Sequence, residues 1–222
     1  ETLTVMERTP ERLSEVVGIS RSKAIAIGEE FRLQVGMRSL LEFFALHHLP
    51  AELAVRSYKL YGDSTIELLY DDPYLLMDEG LEAPFGAVDR FAIELGVAGD
   101  DPRRVEAGIL FELRYNLSAG HSFLPEDKLI AATAQLLSLE QAAISAGIER
   151  LMEAQLLIKD ILAGIPALYL PELYEAEDYC TRWLLQIAKR TYPEPARLDK
   201  RIRQIAHDSA LDYSPQQEQA IR

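Results

Sequence analysis

Residues Leu13–Ala24 read Leu-Ser-Glu-Val-Val-Gly-Ile-Ser-Arg-Ser-Lys-Ala, and this stretch decides the fold class. The apolar residues before Gly18 predict a short helix that reaches Val17. Gly18 and Ile19 predict a tight turn, because glycine adopts backbone conformations that other residues avoid. Ser20 belongs to the residue types that cap helices, so a second helix is expected to begin directly after it. The stretch therefore predicts two helices joined by a tight turn.

This pattern resembles a helix-hairpin-helix motif. In that motif glycine lets backbone N–H groups approach a DNA phosphate, and the following helix contributes the positive end of its dipole. Gly18, Ile19 and Ser20 are therefore candidate backbone contacts, and Arg21 and Lys23 would add positive charge at the same place. The motif usually has a second glycine where Ser20 stands, a difference that would weaken the phosphate contact. The alternative is a plain helical hairpin with a glycine turn and no ligand.

Two further segments are similar to weakened copies of the motif. His48–Gly62 lacks the turn glycine, and in Glu82–Ala92 the residues Glu82 and Pro84 stand where the turn glycines would lie. Pro84 also removes an N–H group that would otherwise face the phosphate. We expect both copies to act mainly as structural scaffold and only secondarily as DNA contacts.

Proline and glycine mark the helix boundaries in the remaining chain. Proline is tolerated at the first helical position, which predicts helix starts at Pro10, Pro73, Pro102, Pro125 and Pro215. Glycine is common just after a helix, which predicts helix ends at Gly62, Gly96 and Gly120. Between these marks apolar residues recur at intervals of three and four, the helical period.

One region has a different pattern. Leu156–Lys159 and Ile165–Leu170 flank Asp160–Gly164 and together predict a short β-hairpin. Residues 102–171 are thus predicted to form three helices followed by a hairpin, the order of elements in a winged-helix domain. The predicted fold is therefore mainly α. It has an array of helix-hairpin-helix-like modules at 1–100, a winged-helix-like module with one short β-hairpin at 101–171, and a helical linker at 172–222.

The charge distribution limits the partners. The 222 residues carry a net charge of −13, which argues against strong, indiscriminate binding to nucleic acid or to an anionic membrane. Residues 60–102 hold eleven Asp and Glu against one Arg, whereas residues 189–203 hold six Lys and Arg against two acids. Any nucleic-acid contact is expected to be local, with the basic stretch 197–203 as a second candidate.

The residues predict no catalytic site. The sequence has no Gly-rich loop ending in Gly-Lys-Ser/Thr, no His-Glu-x-x-His, no nucleophile elbow and no paired cysteines for zinc. No cofactor or metal is therefore expected within these residues. The single cysteine, Cys180, excludes an internal disulfide and suits a reducing compartment. It lies on an apolar stripe and is expected to be a small core residue.

The order of the segments resembles the N-terminal region of RecD-like DNA helicases, the exodeoxyribonuclease V alpha-chain type with a long N-terminus. The resemblance is carried by five segments: residues 2–19, Ala54–Gly62, Asp72–Leu76, Gly120–Pro125 and Leu168–Glu177. Together they extend over nearly the whole chain. The start at Glu1, without Met or a signal sequence, also suggests a piece of a longer protein.

Tyr213–Ile221 resembles the opening Q-motif of superfamily 1 helicases, in which a Gln reads the adenine edge of ATP. By spacing this role falls on Gln217; a solvated helix start is the alternative. The resemblance implies a parent ATP-dependent DNA helicase of repair or recombination in the bacterial cytoplasm, using ATP and Mg, with a phosphate loop expected beyond Arg222. The helicase motor domains of the same chain are then partners, and no membrane is expected.

The expected function is accessory DNA binding, weak and independent of sequence, through phosphate contacts. The third helix of the winged-helix-like module, about Leu139–Gln155, holds three glutamates against Arg150 alone, so base reading is not expected. A protein–protein adaptor that has lost DNA contact is the main alternative. A winged-helix transcription regulator is a third, and the weak charge of this helix counts against it.

Overall fold

A computed structural model describes residues 2–78, 80–81, 83–190 and 197–221. Glu82 of the third motif copy lies outside the described residues. The described chain forms two compact units, a first unit up to Tyr174 and a second unit from Glu175 onward. The boundaries at residues 100 and 171 stay a prediction.

The first unit is built mainly from short helices. Its α-helices are α1 (Thr2–Arg8), α2 (Arg21–Leu46), α3 (Ala51–Tyr61), α4 (Thr65–Asp71), α5 (Phe85–Glu94), α6 (Pro102–Leu117), α7 (Glu126–Leu137) and α8 (Gln141–Glu153). Three 3-10 helices join them at Pro10–Glu15, Gly62–Ser64 and Pro73–Met77. The strands are β1 (Phe123–Pro125), β2 (Ile158–Leu162) and β3 (Ile165–Tyr169). The later helices are α9 (Pro171–Ala188), which continues into the second unit, then α10 (Leu198–Asp208) and α11 (Pro215–Ile221).

Most predicted helix boundaries are confirmed. Pro10 and Pro73 begin 3-10 helices, and Pro102 and Pro215 begin α-helices. The predicted ends also hold, since Gly62, Gly96 and Gly120 all have positive φ angles just after a helix. Pro125 differs from the prediction, because it ends β1 and caps α7, which begins one residue later.

The predicted β-hairpin is present and forms part of a three-stranded antiparallel sheet in the order β1-β3-β2. The first strand of the hairpin lies later than predicted, at Ile158–Leu162, because the turn takes only two residues. Ala163 and Gly164 form its two-residue turn with φ angles of 50° and 85°, as the hairpin turn with two positive φ angles requires. Strand β1 was not predicted; its residue Phe123 lies opposite Tyr169 of β3. Three residues are too few for an alternating pattern to show in the sequence.

One hydrophobic core runs through the first unit. Its fully buried side chains come from both predicted modules, residues 1–100 and 101–171. They include Phe44, Leu53, Phe91, Ile109 and Leu168. Helices α6 and α8 approach closely at Gly147. A Cβ atom added to Gly147 of α8 would lie 2.6 Å from Val105 Cγ1 of α6.

A part-buried ion pair joins α5 to α6. Arg104 Nε and Nη2 lie 2.8 and 2.9 Å from the two carboxylate oxygens of Asp89, and Tyr74 donates its hydroxyl to the same carboxylate at 2.8 Å. Arg104 Nη1 donates to the carbonyl oxygens of Gly99 and Leu137. The Leu137 carbonyl is at the end of α7, so one guanidinium ties together three helices.

The second unit exposes much of its apolar surface. None of the residues of α9 is buried, and Trp183 is 53% exposed. The prediction that Cys180 is a core residue is wrong, because its side chain is exposed. Helical periodicity identifies the apolar face of a helix, but it does not show whether another element covers that face.

No single described helix has both the length and the apolar composition that a membrane crossing requires. The consecutive helices α7 and α8 reach that composition only as a pair, and they are bent by 116° where they meet.

Candidate nucleic-acid interface

The first hairpin has the predicted tight turn. The N–H of Ile19 donates to the carbonyl oxygen of Val16 at 3.1 Å, which closes a β-turn with Gly18 as its third residue. Gly18 has a φ angle of +93°, the value that a type II turn demands at this position. Val17, at the tip, is fully exposed.

The predicted cap is also present. Ser20 Oγ accepts the N–H of Lys23 at 3.3 Å, and α2 begins at Arg21. The N–H groups of Gly18, Ser20 and Arg21 make no hydrogen bond to any described residue, so they remain available to an anion. The N–H of Ile19 is not available to an anion in the same way, because it is already hydrogen-bonded inside the turn.

Two cations stand beside these N–H groups. Arg21 and Lys23 are exposed, and neither makes an ion pair with a residue in the described ranges. The first turn of α2 contains no acidic residue. The turn therefore combines backbone donors, a helix N-terminus and two mobile positive side chains at one place.

Close packing of its two helices supports the hairpin. Ala24 and Leu13 are buried between its two helices. Gly28 of α2 lies directly against Pro10, since a Cβ atom at Gly28 would be 2.3 Å from Pro10 Cβ. Close packing at these positions fixes the orientation of the turn.

The second and third hairpins lack this combination. Proline caps the second helix of each, at Pro50 before α3 and at Pro84 before α5, and neither cap has a side-chain hydrogen bond. Proline has no N–H group to offer to a phosphate. The turn before α3 places His48 at a φ angle of 56° where the motif would have glycine.

Two acidic residues near these hairpins accept hydrogen bonds from tyrosine side chains of α3. Tyr58 donates its hydroxyl to Asp63 at 2.5 Å, and Tyr61 donates to Asp78 at 3.0 Å. The bond to Asp63 raises the pKa of Tyr58 to about 12, and burial followed by the bond to Asp78 raises the pKa of Tyr61 to about 12. These carboxylates thus hold helices together as well as adding negative charge to the surface.

Helix α8 is the helix to which the winged-helix prediction would assign base reading. Its basic residue Arg150 is paired with Glu106 of α6, with 2.6 Å between Nε and Oε1. The other charges near this helix, Glu140, Glu149 and Glu153, are negative. Its charges do not favour contact with a DNA groove.

Gln217 lies in the first turn of α11 and closes a capping box that sequence reasoning missed. Its amide oxygen accepts the N–H of Ser214 at 2.9 Å, and Ser214 Oγ accepts the N–H of Gln217 at 3.3 Å. The signal was present as Ser-x-x-Gln before the helix. The amide oxygen has a second lone pair, so the cap leaves capacity for a further donor.

No group of three or more His, Cys, Asp or Glu side chains in the described ranges is arranged to hold a metal ion.

Comparison with known families identifies the middle of the chain. Residues 33–123 match the family described as the ATP-dependent RecD2 DNA helicase HHH domain, where HHH denotes helix-hairpin-helix. This segment is similar to a RecD2-type helix-hairpin-helix domain. The predicted RecD-like resemblance is thereby confirmed, and the RecD2-type domain marks an accessory DNA-binding region of a helicase.

The RecD2-type domain begins within α2 and ends at the start of β1. It contains the second and third hairpins, whereas Gly18, Ile19, Ser20, Arg21 and Lys23 lie before its first residue. The candidate contact residues are therefore joined to the RecD2-type domain by the continuous helix α2.

Proposed function

We propose that the chain holds or guides DNA beside a helicase motor, and that the first hairpin supplies the contact. The observation that carries the proposal is the arrangement at Gly18–Lys23, where unbonded N–H groups and two exposed cations adjoin a RecD2-type domain. Such an arrangement suits the phosphate oxygens of a nucleic-acid backbone.

Binding would be independent of sequence. Backbone N–H groups and flexible Arg and Lys side chains contact phosphates, which are the same at every base pair. The net charge of −13 opposes tight association, so we expect a Kd of about 10⁻⁴ to 10⁻⁶ M at physiological salt, the usual range for nonspecific binding.

The parent protein would be an ATP-dependent helicase of DNA repair or recombination in the bacterial cytoplasm. In that protein Gln217 would read adenine, because a Gln side-chain amide can form hydrogen bonds with both N6 and N7 of the base. ATP and Mg would act in the motor domains of the same chain, which are thus proposed partners.

A paired charge reversal tests the hairpin. Arg21→Glu with Lys23→Glu changes the charge beside the turn without touching the core, because both side chains are exposed. The matched control is Arg90→Glu with Lys128→Glu, which makes the same change in net charge at two other exposed positions. Binding of a fluorescent DNA duplex is measured by anisotropy over a range of salt concentrations.

We expect the hairpin variant to lose about two units of salt slope, roughly one for each lost phosphate contact, and the control to lose far less. The loss should be the same for unrelated DNA sequences. Nanomolar preference for one sequence would instead favour a regulator.

The adaptor function is the second candidate, and the proline caps of the second and third hairpins favour it. It predicts that the two double variants bind DNA equally. In that case the hairpins would be scaffold for a protein partner.

A further inference from the structure

Most basic residues of α10, together with Arg197 at its N-cap, share one face. Arg197, Lys200, Arg203 and His207 line a single surface depression of about 640 Å³, together with Asp199 and Gln204. The positions recur at intervals of three and four, so they follow one side of the helix. Arg201 does not line the depression.

The apolar residues of α10 follow another side. Leu198, Ile202, Ile205 and Ala206 recur at helical spacing, and Ile202 is buried. The helix is therefore divided into an apolar side and a cationic side. Burial of Ile202 fixes which side is turned toward solvent.

Three basic side chains of this face have no ion pair with a described residue, although the acidic Asp199 lines the same depression. Arg197, Lys200 and Arg203 make no ion pair with any residue that the structure describes. His207 lies 3.4 Å from Asp208, its neighbour in the chain.

The second unit does not share the acidity of the rest of the chain. Residues 175–222 contain eight Lys and Arg and eight Asp and Glu, so the net charge of −13 belongs entirely to residues 1–174. Within the neutral unit, residues 197–203 hold four Lys and Arg against Asp199 alone. The positive potential is thus concentrated on α10.

We infer that the cationic face of α10, formed by Arg197, Lys200 and Arg203, is a second phosphate-binding surface for a nucleic-acid strand. The inference rests on the proposed function, since it gives the DNA that the first hairpin holds another point of contact. Successive cations are about 4.5 Å apart along the helix axis, and long side chains let each reach a separate phosphate. Arginine can offer two parallel donors to phosphate oxygens.

A single-residue comparison within α10 tests this surface in the 222-residue chain. Arg203→Glu is compared with Arg201→Glu, which places the same charge change two residues away on the same exposed helix but outside the depression. A fluorescent single strand and a duplex serve as probes over a range of salt concentrations. Far-UV circular dichroism checks that both variants keep their helices.

We expect Arg203→Glu to weaken binding roughly five- to tenfold at 0.1 M salt and to reduce the salt slope by about one unit. Lys200→Glu should behave in the same way, and Arg201→Glu should stay within about twofold of wild type. Equal effects of Arg201→Glu and Arg203→Glu would overturn the inference, because only the net charge would then matter.

The result is separable from the test of the first hairpin. If the Arg21 and Lys23 reversal has no effect while Arg203→Glu weakens binding, the hairpin contact fails and the α10 surface stands. If only the hairpin reversal matters, the α10 surface fails. Poly-glutamate is the competing probe: tighter, Arg203-dependent binding of poly-glutamate than of DNA would make the occupant an acidic polypeptide and would also overturn the inference.

Discussion

Asp89 and Arg104 form an ion pair that is largely shielded from water. Their side chains are only 18% and 11% exposed. Removing one charge leaves the other buried without its partner, which is costly. We predict that Asp89→Asn lowers the free energy of unfolding by about 3 kcal/mol, near the lower end for such losses, because Arg104 keeps two carbonyl acceptors.

Urea unfolding measures this change. The control is Asp100→Asn, which removes an exposed carboxylate in the neighbouring loop and should change stability by less than about 0.5 kcal/mol. A loss of under 1 kcal/mol for Asp89→Asn would mean that the pair adds little to the junction of α5 and α6.

Tyr58 provides a pH-dependent prediction. Its pKa is raised from 10.0 to about 12, first by the hydrogen bond to Asp63, so the folded state favours the protonated phenol. The stability from this bond is complete below about pH 10 and is lost as the pH rises toward 12. The difference in tyrosinate absorbance between wild type and Tyr58→Phe should therefore titrate near pH 12; a midpoint near 10 would contradict the bond.

At the scale of the element, glycine controls how closely α8 approaches α6. We predict that Gly147→Ala destabilises the protein by about 1–3 kcal/mol, because the added methyl would overlap Val105 and Ile109. Gly86→Ala is the matched control: it also lies in a helix, but its methyl would meet nothing within 4 Å. Its higher helix propensity should stabilise α5 by up to about 1 kcal/mol.

Thermal unfolding of the two variants should thus shift in opposite directions. If both raise the melting temperature, α8 has room to move away from α6 and the contact at Gly147 is not tight.

Local chemistry made many elements predictable. Pro102 with Asp101 before it, Gly18 in its turn and Ser20 at its cap each act on backbone within three residues of their own position. The sequence alone therefore indicates their structure. Strand β1 and the exposure of Cys180 depend on what lies opposite in space. The sequence predicted that the candidate contact residues form a turn. It did not indicate that the N–H of Ile19 is hydrogen-bonded to Val16 within that turn, which only the folded structure shows.

At the scale of the whole molecule, the core predicts where the chain can be divided. The buried core cluster from Leu40 to Leu170 lies entirely in the first unit. We predict that a chain ending at Tyr174 unfolds in one cooperative transition, with a melting temperature close to that of the first unit in the 222-residue protein. Differential scanning calorimetry measures both, and a broad, non-cooperative transition would show that residues beyond Tyr174 complete the core.

The exposed Cys180 has a practical consequence for spectroscopy. It is the single thiol of the chain and stands one helical turn from Trp183, the single tryptophan. A maleimide dye would therefore attach at one known place without any engineered cysteine. Because both probes lie on α9 in the second unit, indole emission and dye signals would report on that unit, and tyrosine absorbance would be needed to follow the hairpins of the first.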